Sequence, residues 1–70
     1  MLLNDLLIDL SYKDLDMKVS INSKDSWEIF HGTVEACEKS LSYALLTREI
    51  LFKCNIENTL YIEIDVKLEF

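Results

Sequence analysis

The sequence predicts an α+β fold with the element order α-β-β-α-β-β, in which two helices lie on one face of a four-stranded antiparallel sheet. Leucines at helical spacing near the start indicate the first helix. Apolar residues at every second position in two later stretches indicate strands, and Gly32 and Thr33 separate the first two strands from a second helical stretch. A length of 70 residues suits one small core, so we expect a single compact domain over residues 1–70.

The first helix and the first strand are predicted from two different spacings of apolar residues. Four leucines at positions i, i+3, i+4 and i+7 form one apolar stripe, and this helix should end near Ser11. The leucines are Leu3, Leu6, Leu7 and Leu10. From Met17 the period changes to two, which predicts a strand with Met17, Val19 and Ile21 on one side and polar residues on the other.

The second strand and the second helix meet at the chain's one glycine. Residues 22–25 have turn chemistry, so residues 27–31 should return as the second strand of a hairpin. We place Gly32 where this strand must turn, because glycine has the widest backbone freedom. Thr33 should then cap a helix over residues 34–45, whose first turn carries acidic residues.

The last part of the chain predicts a second hairpin with an unusually long strand. Residues 49–54 are β-prone, and residues 55–58 offer a turn. Residues 60–70 are apolar at every even position, which predicts a strand that buries one side. At ~3.3 Å per residue this run could extend roughly 36 Å, longer than a typical strand.

The charge of the chain restricts its partners. Thirteen acidic and seven basic residues give a formal net charge of −6, which disfavours direct binding to nucleic acid or to an anionic membrane. The same charge attracts a basic patch on another protein. Because 50% of the residues are apolar and the interior is small, we expect a homodimer or a bound partner.

The beginning of the chain and its cysteines predict a cytoplasmic protein. The first ten residues are apolar but lack a basic start, contain Asp5 and Asp9, and are too few to span a bilayer. Cys37 and Cys54 lack the paired spacing of redox motifs and are too few for a disulfide framework. We therefore expect reduced thiols in the cytoplasm.

Several segments resemble a loose group of short, uncharacterised proteins from phages and prophages of low-GC Gram-positive bacteria. They are IFHGTVEAC, LLTREILFK and NTLYIEI, and the N-terminal LLNDLL and MKVSI look similar too. The resemblance covers most of the chain, implies a phage-encoded protein and brings no known catalytic residue. The last strand is usually shorter in that group, so this chain differs in residues 65–70.

No residue pattern marks an enzyme, a cofactor site or a metal site. His31 is the sole histidine, and no nucleophile is marked for it to activate. A zinc site from His31, Cys37 and Cys54 lacks a fourth obvious ligand and the close spacing of zinc motifs. Gly32 and Thr33 lack the lysine and further glycines of a phosphate-binding loop. We therefore predict a protein without enzymatic activity, cofactor or metal.

The outward side of the last strand is the predicted partner-binding surface. It presents Tyr61, Glu63, Asp65 and Glu69, spaced about 6.6–6.8 Å apart and interrupted by Lys67. Such a row of carboxylates can imitate a nucleic-acid backbone and occupy the basic groove of a protein. We predict an inhibitor of a host nucleic-acid-binding or defence protein, of the anti-CRISPR type.

Two other interpretations stay open. The carboxylates could simply form a solvated sheet face that keeps the protein soluble. Alternatively, the chain is a homodimeric structural or assembly module without an inhibitory role, in which the long fourth strand pairs with its counterpart across a twofold axis.

Overall fold

The computed structural model of the protein describes residues 1–68, and these form an α+β fold with a four-stranded sheet. The predicted fold class is confirmed. In chain order the elements are α1 (Leu3–Ser11), β1 (Lys18–Ser23), β2 (Glu28–Thr33), α2 (Val34–Ser40), α3 (Tyr43–Leu46), β3 (Ile50–Ile56) and β4 (Thr59–Ile64).

The sheet is mixed, so the prediction of an antiparallel sheet is wrong at one pairing. The strand order is β2-β1-β4-β3, and the two inner strands, β1 and β4, run parallel. Residues 34–49 connect β2 at one edge of the sheet to β3 at the other edge. In the second hairpin β3 is therefore the edge strand, and β4 lies next to β1 in the middle of the sheet. This order places Leu60, Ile62 and Ile64, the apolar side of β4, in the middle of the sheet, where all three are buried.

The core lies between the helices and one face of the sheet, which we call the covered face. Leucines of α1 meet the inner sides of β1 and β4 and the buried residues of α2. Burying a side chain of this size contributes about 1.5–3 kcal/mol. The buried core residues are Leu3, Leu6, Leu7, Val19, Ile21, Val34, Cys37, Leu60, Ile62 and Ile64. No helix within residues 1–68 has the length and apolar content needed to cross a membrane.

The predicted second helix is broken into two. Leu41 has an extended backbone (φ −84°, ψ 142°) and separates α2 from α3. Ser40 and Ser42 flank it, and serine side chains compete with helical backbone hydrogen bonds. The break redirects the chain so that Leu41, Leu45 and Leu46 all contact the core.

The predictions for Gly32 and Thr33 have different outcomes. Thr33 caps α2 as predicted, because its Oγ1 accepts a hydrogen bond from the backbone N–H of Ala36 at 3.2 Å. Gly32 lies inside β2 and has no positive φ, so the predicted turn at this residue is wrong. A Cβ at Gly32 would lie 3.0 Å from Cζ of Phe30, and the glycine therefore makes room for this ring.

The fourth strand is shorter than predicted. Its last ladder pairs join Ile64 to Ser23 at the end of β1 and to Ile50 at the start of β3. The chain bends at Asp65, whose N–H donates to the Glu49 carbonyl at 2.8 Å. The prediction that the strand continues through residues 65–68 is therefore wrong. The last two residues of the predicted strand, Glu69 and Phe70, lie outside the described residues.

Candidate protein-binding surface

The helices leave the second face of the sheet uncovered. We call it the open face and define it by the outward side chains Ser20, Asn22, Phe52, Cys54, Ile56, Tyr61 and Glu63. Cross-strand pairs align Cys54 with Tyr61 and Phe52 with Glu63. Three of its large side chains are well exposed, with 58% of Phe52, 49% of Ile56 and 40% of Tyr61 accessible. Apolar surface of this kind, rimmed by polar groups, is typical of interaction sites.

The apolar side chains of the open face form a shallow groove of about 330 Å³. Phe52 and Ile56 of β3 line one side, Tyr61 lies between them and β1, and Glu63 supplies a carboxylate. Small-molecule pockets usually bury most of a ligand in about 300–1,000 Å³. This groove is open and at the low end of that range, which favours a side chain of a partner protein over an enclosed small ligand.

The half of the open face near β2 is polar and satisfied internally. Ser20 is fully buried, and its hydroxyl donates to Oε1 of Glu28 at 2.9 Å. The Asn22 amide donates to the carbonyl and the hydroxyl oxygen of Ser20, both at 3.2 Å. Nδ1 of His31 lies 3.3 Å from the same Glu28 oxygen. These groups engage one another, so the half of the open face near β3 is the part that offers unused contacts.

The structure brings together two of the four predicted partner-binding residues. Tyr61 and Glu63 lie two positions apart on β4 and both line the groove. Asp65 lies beyond the end of the strand, and its carboxylate forms an ion pair with Lys24 at 3.0 Å. Glu69 lies outside the described residues. The predicted row of carboxylates along one strand is therefore interrupted after Glu63.

A second group of carboxylates lies at the end of the sheet where the β3–β4 hairpin turns. Asp14 and Asp16 come from the loop after α1, and Glu57 comes from the turn. They line a depression of about 610 Å³ together with Lys18. Our sequence reasoning missed this group because its members are separated by about forty residues, and only the topology of the sheet brings them together.

The residues considered for catalysis or metal binding do not meet. His31 lies on the open side of β2, Cys54 lies on β3 at the opposite edge, and Cys37 is buried in α2 on the covered face. Within residues 1–68, no three histidine, cysteine or carboxylate side chains are placed to hold a metal ion. Burial, assisted by the charge of Glu38, raises the pKa of the Cys37 thiol to about 12. This thiol is therefore protonated at neutral pH and is not an activated nucleophile.

The resemblance to short phage proteins stays a prediction. No protein-family model matches this chain, and no curated protein or solved structure matches it.

Proposed function

We propose that this protein is a small acidic protein-binding module without enzymatic activity, and that its open face binds a basic protein. The observation that carries the proposal is the junction of an exposed apolar groove with a carboxylate. Glu63 lines the groove beside Phe52 and Tyr61, and within the described residues it has no ion pair. Aromatic side chains in a central groove with charges around them are the usual anatomy of a protein-binding hot spot.

The chemistry of the surface defines its partner. An apolar or aromatic side chain of the partner enters the groove, and lysine or arginine residues beside it meet Glu63 and the carboxylates near Glu57. The net charge of −6 speeds the encounter with such a surface and makes binding weaker at high salt. The apolar contacts are insensitive to this screening and supply the remaining affinity.

In the cell, the proposed consequence of this binding is inhibition of the partner protein. A basic groove that accepts the carboxylates of this surface is also suited to nucleic-acid phosphates, so the two ligands compete. We propose that the partner is a host nucleic-acid-binding or defence protein in the cytoplasm, and that this chain is a phage-encoded inhibitor of the anti-CRISPR type. The net charge and the resemblance to short phage proteins support this form.

The first experiment is affinity purification of a tagged copy from a low-GC Gram-positive host at low and at high salt. We expect a basic nucleic-acid-handling protein that is retained at low salt and lost at high salt. The purified pair is then tested for competition, in which added protein should release a labelled nucleic acid from the partner. If nothing is retained, or if the partner binds nucleic acid equally well with and without the protein, inhibition is wrong.

A matched pair of charge reversals locates the surface. Glu63→Lys changes the open face, and Asp9→Lys makes the same change in charge at an exposed site on α1, on the covered side of the sheet. We expect Glu63→Lys to weaken partner binding at low salt far more than Asp9→Lys. Equal losses would show that only net charge matters. If reversal of Glu63, Asp65 and Glu69 together left binding intact, imitation of a phosphate backbone would be excluded.

A further inference from the structure

The third strand is an edge of the sheet, and the N-terminus covers only its beginning. The Met1 carbonyl accepts a hydrogen bond from the N–H of Ile50 at 2.9 Å, and the N–H of Leu3 donates to the Arg48 carbonyl at 2.9 Å. From Leu51 onward, no backbone hydrogen bond among the described residues joins the outer side of β3 to another segment. The free part of the edge is therefore residues 51–56.

The turn after β3 determines which backbone groups face this free edge. Glu57 and Asn58 both have positive φ (48° and 65°), as in a two-residue type I′ hairpin turn. In such a hairpin the pair next to the turn, here Ile56 and Thr59, is hydrogen-bonded, and hydrogen-bonded pairs then alternate along the ladder. The N–H and C=O groups of Lys53 and Asn55 consequently point outward.

We propose that β3 pairs antiparallel with β3 of a second copy of this chain, about a twofold axis that passes beside Cys54. Lys53 of each copy then exchanges backbone hydrogen bonds with Asn55 of the second copy. The result is one continuous sheet in which both open faces lie on the same side. The helices do not obstruct this pairing, because Lys53 and Asn55 are exposed on the covered side of β3.

The free length of the edge favours this register over one with its axis at Lys53. An axis at Lys53 would place Ile56 of the second copy opposite Ile50, whose outward N–H is already bonded to Met1. It would also place two lysines opposite each other, which is unfavourable. An axis at Cys54 keeps the pairing within the free part of the edge and removes both conflicts.

The side chains are complementary in the same register. Phe52 lies opposite Ile56 of the second copy, and the symmetry repeats this contact, so the sides of two of the most exposed apolar residues of the open face become covered. On the other side of the sheet, Lys53 is a diagonal neighbour of both Glu57 and Lys53 of the second copy, each about 7–8 Å away. The apolar pair therefore forms twice, and each Lys53 side chain is long enough to turn towards Glu57 of the other copy and away from its own counterpart.

A second copy fits this edge because residues 52–56 have the same pattern in both directions. Phe52 and Ile56 are apolar, Lys53 and Asn55 are polar, and Cys54 is central. Lys53 is the one charged residue of β3, so pairing brings no carboxylates of the strand together in a chain of net charge −6. The strand also lacks proline and glycine, which often protect edge strands from pairing.

The strand order contradicts the alternative hypothesis, in which the fourth strand pairs with its counterpart. β4 lies between β1 and β3 and has no free edge. The proposal is independent of the proposed function, because it concerns the purified protein alone. Glu63 faces out of the sheet and does not lie on the pairing edge, so Glu63→Lys should leave the dimer intact. Failure of either proposal is therefore recognisable without the other.

The first test is the mass of the purified protein in solution over a range of concentrations. Sedimentation velocity should give twice the chain mass of 8.2 kDa. Asn55→Pro should give a monomer, because it removes an outward N–H without touching the ladder to β4. Circular dichroism checks that this variant keeps its secondary structure. A wild-type protein that is monomeric at every concentration overturns the proposal.

The second test maps the register with disulfides and does not depend on the proline variant. Cys54 and its symmetry mate form a non-hydrogen-bonded pair with Cα atoms about 4.5 Å apart, within the range for a disulfide. Copper phenanthroline takes two electrons from the two thiols, which lose their protons, and should give a covalent dimer. Cys54→Ser should abolish this band and keep the dimeric mass.

The Cys54→Ser background then offers a matched comparison. Lys53→Cys and Asn55→Cys variants should cross-link rapidly when mixed, because residues 53 and 55 are opposite each other across the axis. Each variant alone should cross-link slowly. If the Lys53→Cys variant cross-links with itself as fast as the mixture does, the axis lies at Lys53 and the proposed register is wrong.

Discussion

The covered face and the open face of the sheet carry apolar residues of similar size, yet only one of them is buried. On β4, Ile62 is 1% exposed on the covered face, whereas its neighbour Tyr61 is 40% exposed on the open face. On the covered side the helices contact β1 and β2, whereas Lys53 and Asn55 of β3 remain exposed there. The hydrophobic effect therefore stabilises the fold on one face and leaves apolar surface for another molecule on the other.

The open face itself has two halves of different composition. Near β2, Ser20, Asn22 and Glu28 satisfy one another with hydrogen bonds. Near β3, the side chains of Phe52 and Ile56 are exposed. The first half resembles an ordinary solvated surface, and the second half has the composition of an interface core. The expected effects of substitutions differ accordingly between the two faces.

The two cysteines should show the largest difference between the faces. Cys37 is buried in α2, and its pKa of about 12 leaves roughly a thousandfold less thiolate at pH 7 than the ordinary value of 9.0. Cys54 lies half-buried on the open face. With N-ethylmaleimide and mass spectrometry we expect one modified thiol, Cys54, in native protein and two in urea. Equally fast modification of Cys37 in native protein would contradict its burial.

Adjacent residues of β4 should separate stability from binding. Ile62→Ala removes buried methyl and methylene groups and should lower the free energy of unfolding by about 2–5 kcal/mol. Tyr61→Ala should lower it by about 1 kcal/mol or less, because the ring is partly exposed, but it should abolish partner binding. Urea unfolding at one fixed protein concentration measures the first effect, and partner retention measures the second. A larger loss of stability in Tyr61→Ala would contradict the division between the faces.

Local patterns predicted the elements, and long-range contacts decided their arrangement. The apolar stripe of α1 and the cap at Thr33 could be predicted from the sequence, because helical spacing and capping depend only on residues close together in the chain. The position of β4 inside the sheet depends on where the chain crosses between the hairpins, which no local pattern contains. The strand also stops at Ile64, its last paired position with β1 and with β3, although the alternation in the sequence continues.

Two of the four residues predicted to bind a partner lie together on the open face, and the other side chains of that face were not predicted. Tyr61 and Glu63 share a side because strand residues two positions apart do so. Phe52 and Ile56 were missed because the register of β3 shifts between Ile50 and Phe52. This irregularity turns Phe52 to the open face, away from the side to which Ile50 belongs, and alternation in the sequence does not reveal an inserted residue.

The smallest expected effect concerns the helices that make the covered face. Thr33 Oγ1 accepts a hydrogen bond from the N–H of Ala36, whereas Ser42, which precedes α3, forms no side-chain cap bond among the described residues. Thr33→Ala should therefore cost about 1 kcal/mol of unfolding free energy, and Ser42→Ala should cost close to none. Because α2 contributes Val34 to the core, the loss at Thr33 should appear as a lower urea midpoint, with partner binding unchanged while the protein remains folded. Equal losses in the two variants would mean that the preference of the residue for the cap position, and not the hydrogen bond at Thr33, determines the cost.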